Sequence, residues 1–311
     1  MGPTVALMSE SVPASQLFEL ELALPNARLT AVAERLIGFR ARYERLRQDL
    51  RLLVDTDGVR DWSRRFYGAD LPLIEVALDR YPLVIFHGDI GTGKTASAEA
   101  AANALASGLE KDAMLFKLST RVRGSGHVGQ MSTLINQAFD TVTKEAGRSR
   151  LAFLILDEAD SLAATRDTDE SHHEDKVAVN TLIQKIDDVR RFGGRVLVFL
   201  CTNRFAALDP AIVRRAGRIE RFERPEAGER EELLRLDCDG LGLPDSTFQL
   251  LVELTGPDGT AQGVGFTFSD LRTRLLPEAL ARAYPDRKLT TDDLLTAARS
   301  LRPSPPMQMT D

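Results

Sequence analysis

The chain has 311 residues, 43% of them hydrophobic and 28% charged, with a formal net charge of −6. That length makes two domains the expectation and allows a full core without disulfide staples, while the acidic balance has the wrong sign for a protein that coats DNA or RNA. Cys201 and Cys238 form no CxxC pair, no run approaches about 18 apolar residues, and the N-terminus lacks the basic-then-apolar run of a secretory leader, so the expectation is a cytoplasmic chain rather than a disulfide scaffold, a zinc ribbon or a membrane protein.

Within residues 1–28, Phe18, Leu20, Leu22 and Leu24 alternate with Glu19, Glu21 and Ala23 before Pro25, which predicts a half-buried strand in an N-terminal arm. From Leu29 to Val54 the pattern is helical, interrupted at Gly38, and a loop-like stretch through Asp55 and Gly58 follows. Strand-length apolar runs then recur at Leu83–Phe86, Ala113–Phe116, Leu151–Leu156 and Val196–Cys201, with helical segments between them. Runs that are apolar on both faces and separated by helices predict a buried parallel sheet sandwiched by helices, an α/β class. Met131, Leu134, Ile135, Ala138, Phe139 and Val142 share one helix face, and Val179, Leu182, Ile183 and Ile186 share another. After Pro225 the pattern reads as helices only, over 226–238, 246–254, 268–284 and 291–301, the last with a threonine cap at Thr290 or Thr291. The organisation expected is an arm over 1–28, a large α/β domain over 29–224, a small helical domain over 225–302 and a disordered tail over 303–311.

Residues 88–95 read GDIGTGKT, between a strand and a helical segment, which is the P-loop pattern in its required context. The loop Asp89, Ile90, Gly91, Thr92, Gly93 turns backbone N–H groups toward phosphate oxygens, and the following helix N-terminus adds partial positive charge. Lys94 is expected to reach the β- and γ-phosphates of ATP, and the Thr95 hydroxyl to join a Mg²⁺ shell. The run Leu151–Leu156 empties into Asp157 and Glu158. Asp157 stands where a carboxylate would hold Mg²⁺, and Glu158 where a general base would polarise the attacking water.

Two later features have two readings on the residues alone. Asn203, at the tip of the run Val196–Cys201, is either a turn asparagine or a residue that orients the hydrolytic water or senses the γ-phosphate. Arg214, Arg215, Arg218 and Arg221 crowd into one short stretch, either as a basic helix end or as arginine fingers. With the P-loop distant in the chain, a finger would act on a neighbouring subunit.

In this order, the P-loop, Asp157-Glu158, Asn203, the Arg215/Arg218 pair and the C-terminal helices resemble an AAA+ ATPase module over roughly 29–302. The resemblance implies a large α/β ATPase domain, a small helical lid, ATP in the cleft between them and usually a ring of six. It also implies that Arg215 and Arg218 are the two finger positions, and that Ile37-Gly38-Phe39 is the segment contacting adenine. SDLRTRLLP (269–277) falls where such modules carry a second sensor arginine; Arg272 and Arg274 compete for that role, and Arg272 is preferred.

A narrower resemblance runs through DEADSLAATR (157–166), AVNTLIQKIDDVRR (178–191) and DPAIVRRAG (209–217), which are similar to the corresponding stretches of the pachytene-checkpoint AAA+ ATPases, remodelers of HORMA-domain proteins. HVGQMSTLINQAF (127–139) aligns with that family's first pore loop and following helix, with His127 in place of the usual aromatic and Val128 and Gly129 beside it. The family implies a homo-hexamer that threads a HORMA protein through its pore, converting a closed, partner-bound HORMA domain to an open one. Short bacterial members work beside cyclic-oligonucleotide anti-phage signalling enzymes. Here only about 28 residues precede the module, so recognition would lie in the arm or the ring surface. RDTDESHHEDK (166–176) reads as a solvated second pore loop rather than a metal site, since the adjacent His172 and His173 diverge on any regular element. The alternative function is an AAA+ nucleic-acid motor or loader. Arg121 and Arg123 allow it, and the charge of −6 and the lack of a DNA-reading motif weigh against it. A non-hydrolysing assembly switch is a third, and it has no need of Glu158.

Overall fold

A computed structural model describes residues 17–118, 130–159 and 172–306, with backbone alone for Gln130 and residues 172–175. The alternating arm segment forms β1 (Phe18–Leu24) and leads into α1 (Ala27–Glu34) and α2 (Phe39–Val54). Two further helices, α3 (Thr56–Tyr67) and α4 (Pro72–Leu78), precede β2 (Leu83–Gly88). Then come α5 (Lys94–Leu109), β3 (Ala113–Leu118), α6 (Gln130–Ala146), β4 (Leu151–Leu156), α7 (His172–Arg190) and β5 (Val196–Thr202). A short α8 (Pro210–Val213) and β6 (Arg218–Phe222) complete the sheet.

The sheet order is β1-β3-β4-β5-β2-β6, parallel throughout except for β1, which runs antiparallel to β3 along one edge. Alternate residues of the inner strands enter different cores, which is what a period of two requires. Leu83, Ile85, Ala152, Leu154, Val198 and Leu200 pack with α6 and α7. Val84, Phe86, Phe153, Ile155, Phe199 and Cys201 pack with α2 and α5 on the other side. Every one of these residues is at most 1% exposed. At about 1.5–3 kcal/mol for each large apolar side chain removed from water, these two layers fix the sheet and hold its strand ends still.

Residues after Pro225 form α9 (Ala227–Asp237), α10 (Asp245–Leu254), a π-helical turn at Asp270–Leu275, α11 (Leu276–Ala283) and α12 (Thr291–Ser300). Their apolar faces make a third core, and Ile37, from the segment before α2, belongs to it. The Thr290 side chain and Asp293 form a reciprocal capping box on α12, as the sequence predicts.

Three expectations are corrected. The stretch through Asp55 and Gly58 is not a loop but the start of α3, whose Trp62, Phe66 and Tyr67 are exposed; Val59, Trp62 and Phe66 keep helical spacing, but Asp57-Gly58 at the helix start carries the signature of a turn. The arginine-rich stretch contains a strand, since Arg218 opens β6 and pairs with β2. The tail expected to be disordered over 303–306 is tied down, with Pro303 buried and Ser304 donating from its backbone N and its Oγ to the Asp270 carboxylate at 3.0 and 2.6 Å.

Candidate nucleotide-binding site

The loop 88–93 leaves the C-terminal end of β2, the end at which open α/β sheets bind ligands. Gly88 has a φ of 140°, and a Cβ there would lie 1.9 Å from the Phe222 carbonyl oxygen of β6. Gly91 has a φ of 78°, and a Cβ there would strike Ser269 and Thr267 of the C-terminal helical region. These two glycines let the loop turn and let the helical region close on it; the Ser269 N–H donates to the Gly91 carbonyl at 3.1 Å. Thr92 Oγ1 donates to the Asp89 carbonyl at 2.8 Å, and Lys94 Nζ donates to the carbonyls of Gly88 and Asp89 at 2.9 and 2.7 Å. Lys94 is 7% exposed, so the loop wraps its ammonium. Ile90 stands out to solvent.

The loop meets β4 through Thr95, whose Oγ1 donates to Asp157 Oδ2 at 2.9 Å. Asp157 Oδ1 accepts the N–H of Glu158 at 2.9 Å. Glu158 has a φ of 47°, a left-handed conformation that a non-glycine residue adopts at a cost of roughly 1–3 kcal/mol and that concentrates at functional sites. A threonine hydroxyl against a carboxylate at the foot of a phosphate loop is a hard-oxygen donor set, which suits Mg²⁺ rather than zinc or copper. Asn203 follows β5, the strand between β2 and β4, so it rises between the phosphate loop and Asp157-Glu158.

A cavity of about 230 Å³ opens beside the loop. Ile37, Gly91, Thr92, Gly93 and Arg272 line it, together with Arg42 and Phe268. Gly38, with a φ of 71°, turns the chain from Ile37 into α2. Arg272 binds Asp237 through two contacts, at 2.5 and 3.2 Å, whereas Arg274 pairs with Asp270 and does not line the cavity. A larger cleft, about 1050 Å³, lies by Lys111 and Arg148 at the opposite ends of the strands, away from the glycine loop.

Neither Arg215 nor Arg218 reaches this cavity. Arg215 makes a bidentate pair with Asp187 at 2.6 and 3.0 Å, and Arg218 pairs with Asp49 and Glu220. Arg218 lies opposite Val84 while Phe222 lies opposite Gly88, so Arg218 is four positions, about 13 Å, back along the strand from the loop. His127, Val128 and Gly129 lie outside the described residues, as do Arg121, Arg123 and residues 166–171 of the acidic loop.

Three residues near the loop went unnoticed in the sequence. Arg224 Nε binds Asp89 at 2.5 Å while its other nitrogens donate to the carbonyls of Gly265 and Ser304 at 2.7 and 2.9 Å, joining the phosphate loop, the helical region and the C-terminal segment. Arg42 lies over the Phe222 ring at 4.2 Å, its buried Nε making no hydrogen bond and lying 3.7 Å from Glu220 Oε1; burial depresses its pKa against the opposing pull of Glu220. Lys117, on β3, is surrounded by Glu19, Glu99 and Asp157. Burial works against the Lys117 charge, but the three carboxylates outweigh it and hold the ammonium above its ordinary pKa, while burial raises the carboxyl pKa of Glu99. No sequence periodicity marks any of the three. Cys201 and Cys238 are free thiols whose burial raises their pKa, that of Cys238 to about 11. No helix among the described residues is long and apolar enough to cross a membrane.

Residues 84–225 match the model of the ATPase family associated with various cellular activities (AAA). The chain is 50% identical over 294 residues to CD-NTase-associated protein 6 of Escherichia coli (strain KTE188), covering 94% of this chain and 98% of the relative. Its fold is similar to a chain in the structure of the E. coli MS115-1 HORMA:CdnC:Trip13 complex, with a TM-score of 0.85, 36% identity and coverage of 94% and 98%. Rhizobiales Trip13 follows, with a TM-score of 0.70, 30% identity and coverage of 93% and 100%. The chain is therefore a member of the AAA ATPase family, in the short bacterial, Trip13-like branch of the pachytene-checkpoint group.

Proposed function

We propose that this chain binds ATP with Mg²⁺ in the cavity between the phosphate loop and the C-terminal helices, hydrolyses it in a homo-hexamer and spends the cycle remodelling a HORMA-domain protein. The observation that carries the proposal is the joined constellation of loop, Thr95, Asp157 and strained Glu158, in a chain half identical to CD-NTase-associated protein 6. The loop N–H groups and Lys94 bind the phosphates, and Ile37 and Gly38 take the adenine end. Thr95 and Asp157 hold Mg²⁺, which when bound supplies Lewis-acid stabilisation of phosphoryl oxygen charge. Glu158 accepts the proton of the attacking water, and Asn203 orients that water. Arg272 senses the γ-phosphate from the helical region.

The remote position of Arg218 supports a role in trans, in which Arg215 and Arg218 of one subunit complete the site of the next. His127, Val128 and Gly129 grip the substrate in the central pore, and hydrolysis opens a closed, partner-bound HORMA domain. The kinship with a CD-NTase-associated protein, and with the Trip13 chain of a HORMA:CdnC:Trip13 complex, supports a setting in cyclic-oligonucleotide anti-phage signalling. Stimulation of ATP hydrolysis by a HORMA-domain protein tests this reading; stimulation by DNA alone would favour a nucleic-acid motor instead.

A further inference from the structure

Among the described residues, Lys117 is the cation that three carboxylates of a small, partly buried cluster at the foot of the phosphate loop share. Its Nζ lies 2.7 Å from Glu19 Oε1 on β1, 3.6 Å from Glu99 Oε1 on α5 and 3.7 Å from Asp157 Oδ2 at the end of β4. The side chains of Lys117, Glu99 and Asp157 are 16%, 19% and 24% exposed, so solvent screens these charges less than it would surface pairs. The register explains the meeting: Lys117 pairs with Leu20 across the antiparallel β1–β3 ladder and with Ile155 across the parallel β3–β4 ladder, at the same end of the sheet as Asp157.

Asp157 Oδ2 also accepts from Thr95, the other residue that would hold Mg²⁺. An ammonium 3.7 Å away competes electrostatically with that cation. The closest partner of the ammonium is Glu19, on the edge strand contributed by the N-terminal arm.

We propose that Lys117 is a positioning residue for the metal carboxylate and that Glu19 sets its position: Glu19 draws the ammonium away from Asp157, leaving Oδ2 open to Mg²⁺, and loss of that pull lets Lys117 take Asp157 for itself. The N-terminal strand thereby acts on metal affinity at the nucleotide site without touching the nucleotide. This inference rests on the assignment of Asp157 as the Mg²⁺ ligand.

The test is equilibrium binding of a fluorescent ATP analogue to the full chain, with and without Mg²⁺ and across a Mg²⁺ titration, for the wild type, Glu19→Gln, Lys117→Met and the double variant. Binding needs no turnover, so the readout is independent of hydrolysis. Glu19→Gln is expected to raise the Mg²⁺ midpoint about three- to tenfold, the range of a partly screened ion-pair change, with metal-free nucleotide affinity unchanged. Lys117→Met is expected to lower the midpoint. In the Lys117→Met background, Glu19→Gln is expected to move it by less than about twofold, since Glu19 acts through Lys117. If Lys117→Met does not fold, Lys117→Gln takes its place. An unchanged midpoint in Glu19→Gln, or a shift that persists at full size without Lys117, overturns the inference. An Asp157→Asn variant whose Mg²⁺ midpoint equals that of the wild type would overturn the assignment of Asp157 instead, so the two failures are distinguishable.

Discussion

Thr95 Oγ1 donates to Asp157 Oδ2 across 2.9 Å, joining the first turn of α5 to the carboxylate that ends β4. The two residues lie on adjacent layers of the sandwich, so the contact forms only when the sheet and α5 are packed as the buried faces of β2 and β4 require. If the pair holds Mg²⁺, Thr95→Ala and Asp157→Asn each weaken Mg²⁺-dependent ATP binding by about tenfold or more while metal-free binding changes little. Calorimetric titration with and without Mg²⁺ checks this.

Removing the carboxylate of Glu158 separates binding from turnover. Glu158→Gln is expected to bind ATP as tightly as the wild type and to hydrolyse it about 10²–10⁴-fold more slowly, the usual worth of a placed general base. A variant that hydrolyses at the wild-type rate would remove Glu158 from the mechanism.

Mixing tests whether the arginines act in trans. Arg215→Ala and Glu158→Gln are each expected to be inactive alone. Mixed in equal amounts, they are expected to regain a measurable fraction of hydrolysis, because some sites then combine an intact Glu158 with an intact arginine from the neighbour. Two inactive preparations that stay inactive when mixed would argue for a structural role of Arg215, through its bidentate pair with Asp187.

Arg224 ties Asp89 to Gly265 and Ser304, and its side chain is 13% exposed. Arg224→Ala removes one charged hydrogen bond from the Asp89 carboxylate and the donors to two carbonyls, and is expected to cost about 2–4 kcal/mol of stability, read from urea unfolding. Truncation after Arg302 removes buried Pro303 and the Ser304 contacts but keeps the Arg224–Asp89 pair, and is expected to cost less.

His87 stacks on Phe205 at a centroid distance of 4.3 Å, and burial, helped by Arg221 and Lys94, lowers its pKa. The unfolded chain therefore takes up a proton at higher pH than the folded one. The stability tied to neutral His87 is complete above about pH 6.5 and is lost as the pH falls from there through the folded value. Thermal unfolding between pH 7.5 and 5.5 is expected to be less pH-dependent in His87→Phe, which keeps the stacking and cannot charge.

Much of the frame is legible in the chain because its signals are local. The inner strands announce themselves as runs apolar on both faces, and the glycine loop, Thr95 and Asp157 stand at the strand ends that packing brings together. β6 is not legible: its residues Arg218 to Phe222 are mostly charged because it is an edge strand, partly exposed on one side. α3 is not legible at its start because Asp57-Gly58 carries the signature of a turn. Arg224 and Asp89 are 135 residues apart, and no pattern in the sequence links two such charges before the sheet and the C-terminal helices are assembled. The same holds for Lys117, whose three carboxylates come from three different elements.

ATP hydrolysis by this chain is proposed to serve a HORMA-domain protein. This is tested most directly by steady-state hydrolysis with the purified chain alone, with a HORMA-domain protein from the same organism, and with single- or double-stranded DNA. Stimulation by the HORMA protein that disappears in Arg215→Ala and in His127→Ala is expected, with no response to DNA. Stimulation by DNA and none by the HORMA protein would contradict it.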